Sequence, residues 1–195
     1  MIRIGRLQSF SDAVIAIIVT IMVIQFKVPS GTDIFALKDI IPTFLAYLLS
    51  FSVVLGIYWN NNHNLIHPEK PVTTDIMWAN LHLLFWLSLV PFATTWIGLH
   101  YSNSFPTAFY ALLMLLCAIA YNILESAIER HHGKNAKLAG SFANIIKRKV
   151  TQTLYLFAIG AAFISPWISD LLFVVVSVVW LIPDEKIKRS TFLLR

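Results

Sequence analysis

Arg6-Leu7-Gln8-Ser9-Phe10-Ser11-Asp12-Ala13-Val14-Ile15-Ala16-Ile17-Ile18-Val19-Thr20-Ile21-Met22-Val23-Ile24 opens with a basic residue and a Ser-Asp pair, then runs on almost without a polar atom. At ~1.5 Å of rise per residue, a helix through this run covers most of a ~30 Å hydrocarbon core. It begins a few residues after Met1, yet Asp12 and its length set it apart from a cleavable signal peptide. The expectation is a retained membrane helix over Leu7 to Phe26.

Five further apolar segments follow, at Ile40 to Trp59, Ile76 to Leu99, Thr107 to Ile128, Thr151 to Trp167 and Leu171 to Ile182. The last is short enough for a re-entrant piece, but an even number of crossings puts both ends of the chain on one side, where the basic tail belongs. Thirteen of the 15 lysines and arginines then fall on that side, six of them (Arg130, Lys134, Lys137, Lys147, Arg148 and Lys149) in the loop between the fourth and fifth segments, and only Lys27 and Lys38 on the other, so the positive-inside rule makes both termini cytoplasmic. Trp59, Trp78, Trp96, Tyr101, Trp167 and Trp180 lie mostly toward segment ends, as in an interfacial aromatic belt. Pro91 and Pro166 are expected to kink or stop their helices. The fold class predicted is all-α and membrane-embedded: six transmembrane helices in a single domain over residues 1–195.

Composition agrees, with 57% hydrophobic residues, 13% charged residues and a mean hydropathy of +0.72, too apolar for a water-facing globular surface. The net charge of +5 is not a nucleic-acid footprint, because the basic residues sit between apolar runs rather than along one face. Cys117 is the single cysteine, so no disulfide framework or cysteine metal cluster forms within one chain.

At ~100° per residue, Arg6, Phe10, Ile17 and Ile24 fall within about 40° of one another on the first helix, flanked by Ala13, Val14, Thr20 and Ile21. Asp12 lies about 140° from Ile17, so it faces a neighbouring helix if the isoleucine stripe faces a lumen. A charge at this depth needs a partner or water. Arg6 and Asp12 are too far apart around the helix to pair within it, so other segments are expected to take part. A plainer reading makes Ser11-Asp12 a helix start and lets Arg6 snorkel to lipid phosphate.

Arg6-x-x-x-Phe10-Ser11-Asp12 followed by an isoleucine-rich first span resembles the signature of the transmembrane protein 175 family of bacterial and lysosomal potassium channels. The resemblance extends over the chain, through its length, its six spans and the Asn80 to Thr95 stretch ending Pro91-Phe92-Ala93-Thr94-Thr95. The larger animal members look like two fused six-span units, and this chain has one. The resemblance implies a leak-type, potassium-preferring cation channel, a homotetramer in lipid whose first helices line the pore, in the plasma membrane of a prokaryote. Its bulky constricting positions fall on Ile17, Ile21 and Ile24, with Thr20 as a polar ring contributing to selectivity. Its polar network falls on Arg6, Phe10, Ser11 and Asp12, and Trp59 and His63 look like the partners on a neighbouring helix. Potassium is the permeant ion and no cofactor is implied.

Cyclic symmetry turns each stripe residue into a ring, and rings of isoleucine gate by dewetting. The sequence holds no TVGYG-like carbonyl filter, so selectivity needs other oxygens. On spacing alone, isoleucines at helical period are more often packing or lipid contacts than pore lining. His63 and His67, four residues apart, have only Glu69 nearby to complete a metal site, and a network or interfacial role is expected. His131 and His132 fall among basic residues, where contact with water or lipid phosphate is the default. Asn80, His82, Asn122 and Glu125 are polar enough to join helices, with water or a basic loop residue as the expected partner of Glu125. No HExxH, GxSxG or Gly-rich phosphate loop occurs, which argues against an enzyme. A secondary transporter for a cation or proton is the rival function, and its usual mark is a helix broken at mid-membrane.

Overall fold

The computed structural model describes residues 4–29, 31–59, 72–132 and 142–181. Every element among them is helical. Helix α1 spans Ile4–Ile24. A 3-10 segment, Ile34–Ile40, leads into α2, Ile41–Phe51, which passes without a break into a π-helical segment, Ser52–Trp59. The chain resumes in α3, Thr74–Ser88, and α4, Val90–Leu99. Then come the long α5, Ser104–His132, followed by α6, Phe142–Ala161, and α7, Pro166–Leu181.

Among the described residues four helical stretches are long and apolar enough to cross a bilayer: Gly5–Ile24, Ile34–Gly56, Thr74–Leu99 and Ser104–His131. A shorter apolar helix covers Pro166–Trp180. The prolines act as their chemistry requires. Pro91 occupies the first turn of α4, and the helix preceding it stops at Ser88, with Leu89 between; a ring lacking an N–H is tolerated there and not in a helix interior. Pro166 likewise opens α7.

Two expectations are corrected. The segment Thr151 to Trp167 is not one span: α6 ends at Ala161, a turn follows, and Trp167 already belongs to α7. The turn reads Ala162-Phe163-Ile164-Ser165, as apolar as the helices it joins, so hydropathy does not mark it. Nor do all the basic residues after the fourth segment lie in a loop. Arg130 closes α5, while Lys147, Arg148 and Lys149 are helical residues of α6. Lys134 and Lys137 lie outside the described residues.

Helix α5 is the hub. Its buried side chains, among them Tyr110, Met114, Cys117, Tyr121 and Leu124, meet Leu83 and Leu87 of α3, Val90 and Ala93 of α4, Tyr155 and Ala158 of α6, and Phe173 and Val176 of α7 in one continuous core. Inside a bilayer this burial brings little hydrophobic gain, so packing and interhelical hydrogen bonds must hold the helices together. One such chain crosses the core. The Tyr110 hydroxyl lies 2.9 Å from Ser50 Oγ, Ser50 Oγ lies 2.6 Å from Thr94 Oγ1, and Thr94 donates to the Val90 carbonyl at 2.7 Å. One proton per hydroxyl satisfies it: Tyr110 donates to Ser50, Ser50 to Thr94 and Thr94 to the backbone. Helices α5, α2 and α4 are thereby joined.

The closest approach of α2 and α4 depends on Gly98. A Cβ built there would lie 2.7 Å from Thr43 Cα, a backbone atom that cannot swing aside, whereas one at Gly160 would meet nothing within 4 Å. Gly98→Ala is expected to force the two helices apart at a cost of about 1–3 kcal/mol. Thermal unfolding in a mild detergent should show it as a clear drop in Tm, with Gly160→Ala near wild type; equal effects would mean that the close approach is unimportant.

Candidate functional site

Helix α1 has two sides. Ser11, Ile15, Ile18 and Met22, spaced four, three and four residues apart, form one strip that is at most 3% exposed and packs against α3 and α4. The other side carries Ile17, Ile21 and Ile24, which are 57%, 41% and 80% exposed. Arg6, Phe10, Ala13, Ala16 and Thr20 are exposed as well. The stripe expected from helical periodicity is therefore turned away from the subunit's own core.

Polar contacts fix this rotation. Near the start of α1 the Asn80 side chain of α3 meets the Ser11 hydroxyl, with Nδ2 at 2.9 Å and Oδ1 at 3.1 Å from Oγ. Both residues are buried. Nδ2 donates to Ser11 Oγ, which in turn donates to the Leu7 carbonyl at 2.9 Å, so neither group is left without a partner. Beyond the far end of the helix, Thr95 of α4 donates to the Gln25 side-chain oxygen. Between them Met22 Sδ lies 4.0 Å from Thr94 Oγ1. The pore-facing candidate is thus pinned at both ends to the α3–α4 pair, whose break at Leu89 falls between the two pins.

The stripe itself is chemically mixed. Thr20 donates its hydroxyl proton to the Ile17 carbonyl at 2.8 Å, which leaves the oxygen's lone pairs free on the exposed side. Ser9 donates to the Gly5 carbonyl in the same way at 3.0 Å. Bulky apolar side chains are exposed on α6 and α7 as well: Leu156, Phe157, Ile168, Leu171 and Val178.

The remaining sequence candidates divide. Asp12 is half-buried and Arg6 exposed, and no ion pair joins them among the described residues. Trp59 is the last residue of the π-helical segment, and His63 and His67 lie outside the described residues. Asn80 was expected to join helices, and its partner is Ser11. Glu125 is buried on α5 and ion-paired to Arg148, a basic residue as expected but on α6 rather than in a loop. Sequence reasoning missed Ser50, Thr94, Gln25 and Thr95; the signal available was a lone polar residue in an otherwise apolar run. No group of three metal-binding side chains occurs among the described residues.

These features define a class, an all-helical multi-pass membrane protein whose first helix shows a partly polar stripe outward. Comparison with known proteins narrows it. Residues 6–91 match the sequence model of the endosomal/lysosomal potassium channel TMEM175. A potassium channel of a Chryseobacterium species is 46% identical over 186 residues, covering 95% of this chain and 96% of that one. One from Chamaesiphon minutus is 29% identical over 177 residues, covering 85% and 87%. The fold matches the crystal structure of a lysosomal potassium-selective channel TMEM175 homolog from Chamaesiphon minutus with a TM-score of 0.76 at 28% identity, over 91% of this chain and 95% of that one. The chain belongs to the TMEM175 family.

Proposed function

We propose that the protein is a leak-type, potassium-preferring cation channel of a prokaryotic plasma membrane. In this reading four copies assemble around one axis, each crosses the membrane six times with both termini in the cytoplasm, and α1 of each lines the pore. The observation that carries it is the orientation of α1: its Ile17, Ile21 and Ile24 face is exposed while the opposite strip is locked to α3 and α4. Four copies of that face make three apolar rings over about 10 Å of axis, a barrier thin enough to cross when small tilts widen it. The signature residues Arg6, Phe10, Ser11 and Asp12 lie in the cytoplasmic half of α1 and serve as a polar network, in which Ser11 ties the helix to Asn80 of α3.

Selectivity rests on Thr20. Its oxygen, whose proton is directed to the Ile17 carbonyl, offers lone pairs between two isoleucine rings and replaces part of a cation's hydration shell. Potassium sheds water more readily than sodium and is preferred. Thr20→Val keeps the shape and removes the oxygen, so the potassium-to-sodium permeability ratio should fall about two- to tenfold, equivalent to ~0.4–1.4 kcal/mol. Reversal potentials under bi-ionic conditions measure it; an unchanged potential excludes the role. The break between α3 and α4 at Leu89 is the feature a transporter reading would use. Large unitary currents separate a channel from slow, saturable exchange.

A further inference from the structure

Where the first turn of α3 meets the last turn of α5, an open cleft of about 370 Å³ lies between the two helices, with no residue of α1 in its lining. Asp75, Trp78 and His82 of α3 and Ile123, Arg130 and His131 of α5 line it. Its polar groups are not equivalent. His131 Nε2 lies 3.1 Å from Asp75 Oδ2, so the one carboxylate in the cleft already has a partner. The Trp86 indole donates to His82 Nε2 at 2.8 Å, which puts the proton of that neutral imidazole on Nδ1 and leaves the ring one more donor. The Arg130 guanidinium is exposed, with no acceptor among the described residues.

Toward the membrane interior from this polar end, α3 and α5 expose apolar side chains. Ile119 sits one turn from Ile123 on α5, and Phe85 sits on the face of α3 shared by Trp78 and His82. All three are exposed, at 38%, 46% and 56% for Ile119, Ile123 and Phe85. Trp78, 64% exposed, stands at the junction of the two ends, where an amphipathic ring suits the headgroup level. One guanidinium and one imidazole N–H donor at the rim, with exposed apolar side chains deeper along the same two helices, match one shape of ligand, an amphiphile with an anionic head.

We propose that this cleft binds an anionic phospholipid of the cytoplasmic leaflet, with its phosphate on Arg130 and the His82 Nδ1–H and an acyl chain along Ile123, Ile119 and Phe85. The cytoplasmic leaflet follows from the basic residues that crowd this end of the chain. A soluble phosphate would use only the rim, whereas the exposed Ile123, Ile119 and Phe85 offer an acyl chain a surface to lie on, which selects lipid. The site stands whether or not the α1 stripe conducts.

Native mass spectrometry of the purified full-length protein tests this, with phosphatidylglycerol, phosphatidylcholine and glycerol 3-phosphate offered in turn. Wild type should retain phosphatidylglycerol about fivefold better than phosphatidylcholine, the factor one surface cation contributes. Arg130→Gln should remove that preference, Phe85→Ala should lower retention of both lipids, and Lys27→Gln, on the opposite side, should change neither. The proposal is overturned if Arg130→Gln keeps the preference, if glycerol 3-phosphate is retained as well as the lipid, or if no lipid is retained because a second copy of the chain covers the cleft.

Discussion

Potassium flux through reconstituted Ile17→Asn protein should exceed that of wild type at least tenfold. Ile17 is 57% exposed on a helix whose other side is fixed, so the change alters the exposed surface without disturbing the core. In the proposed four-fold ring one substitution replaces four branched aliphatic groups by four amides, each able to hold water in the proposed constriction. A tenfold gain corresponds to ~1.4 kcal/mol off the barrier, or only about 0.3 kcal/mol from each of the four side chains. Ile21→Asn should act in the same direction, and both should reduce discrimination between potassium and sodium, because a wetter pore asks less dehydration of either ion. Flux from potassium-loaded liposomes reads the effect directly. Well-folded variants with unchanged flux would place the isoleucines somewhere other than the narrowest part of a pathway.

The second large effect is on stability. Glu125 and Arg148 pair across α5 and α6 with side chains only 6% and 18% exposed. Such a pair adds little over a well-packed apolar contact, but removing one partner strands the other charge largely out of water, at a cost of about 3–5 kcal/mol. Glu125→Ala should therefore lower the Tm in detergent far more than any surface substitution. Glu125→Leu combined with Arg148→Met should recover most of the loss, since no buried charge remains. A double variant as unstable as the single one would show that the ion pair itself, and not the stranded guanidinium, sets the stability.

The sequence made some of these elements readable and hid others, for reasons that follow from the solvent. Hydropathy reports transfer into lipid, so the apolar runs that become α1, α2, α5 and the α3–α4 pair stand out. It is blind to a turn made of lipid-compatible residues, which is why the stop at Ala161 and the Ala162 to Ser165 turn were read as continuing helix. Periodicity placed Ile17, Ile21, Ile24 and Thr20 on one side of α1 correctly, because a face is a local property. A partner is not: Asn80 is 69 residues from Ser11, and no spacing rule reveals the pairing. Ser50, Thr94 and Tyr110 were missed for the same reason, since each is unremarkable until three helices bring the hydroxyls within 3 Å. Charge usually means water, so a basic cluster reads as a loop, whereas Arg148 sits on α6 paired with a buried carboxylate.

If α1 lines a pore, its exposed face meets water along an axis shared by several copies of the chain. Cys117 is the only cysteine and is fully buried, so a Cys117→Ser background allows single cysteines to be placed at will. A water-soluble cationic thiosulfonate applied during recording should block current through Thr20→Cys and Ile24→Cys channels, and leave Leu156→Cys on α6 unaffected. Cysteines at 20 and 24 that react only with a lipid-soluble maleimide, with current undiminished, would contradict the account.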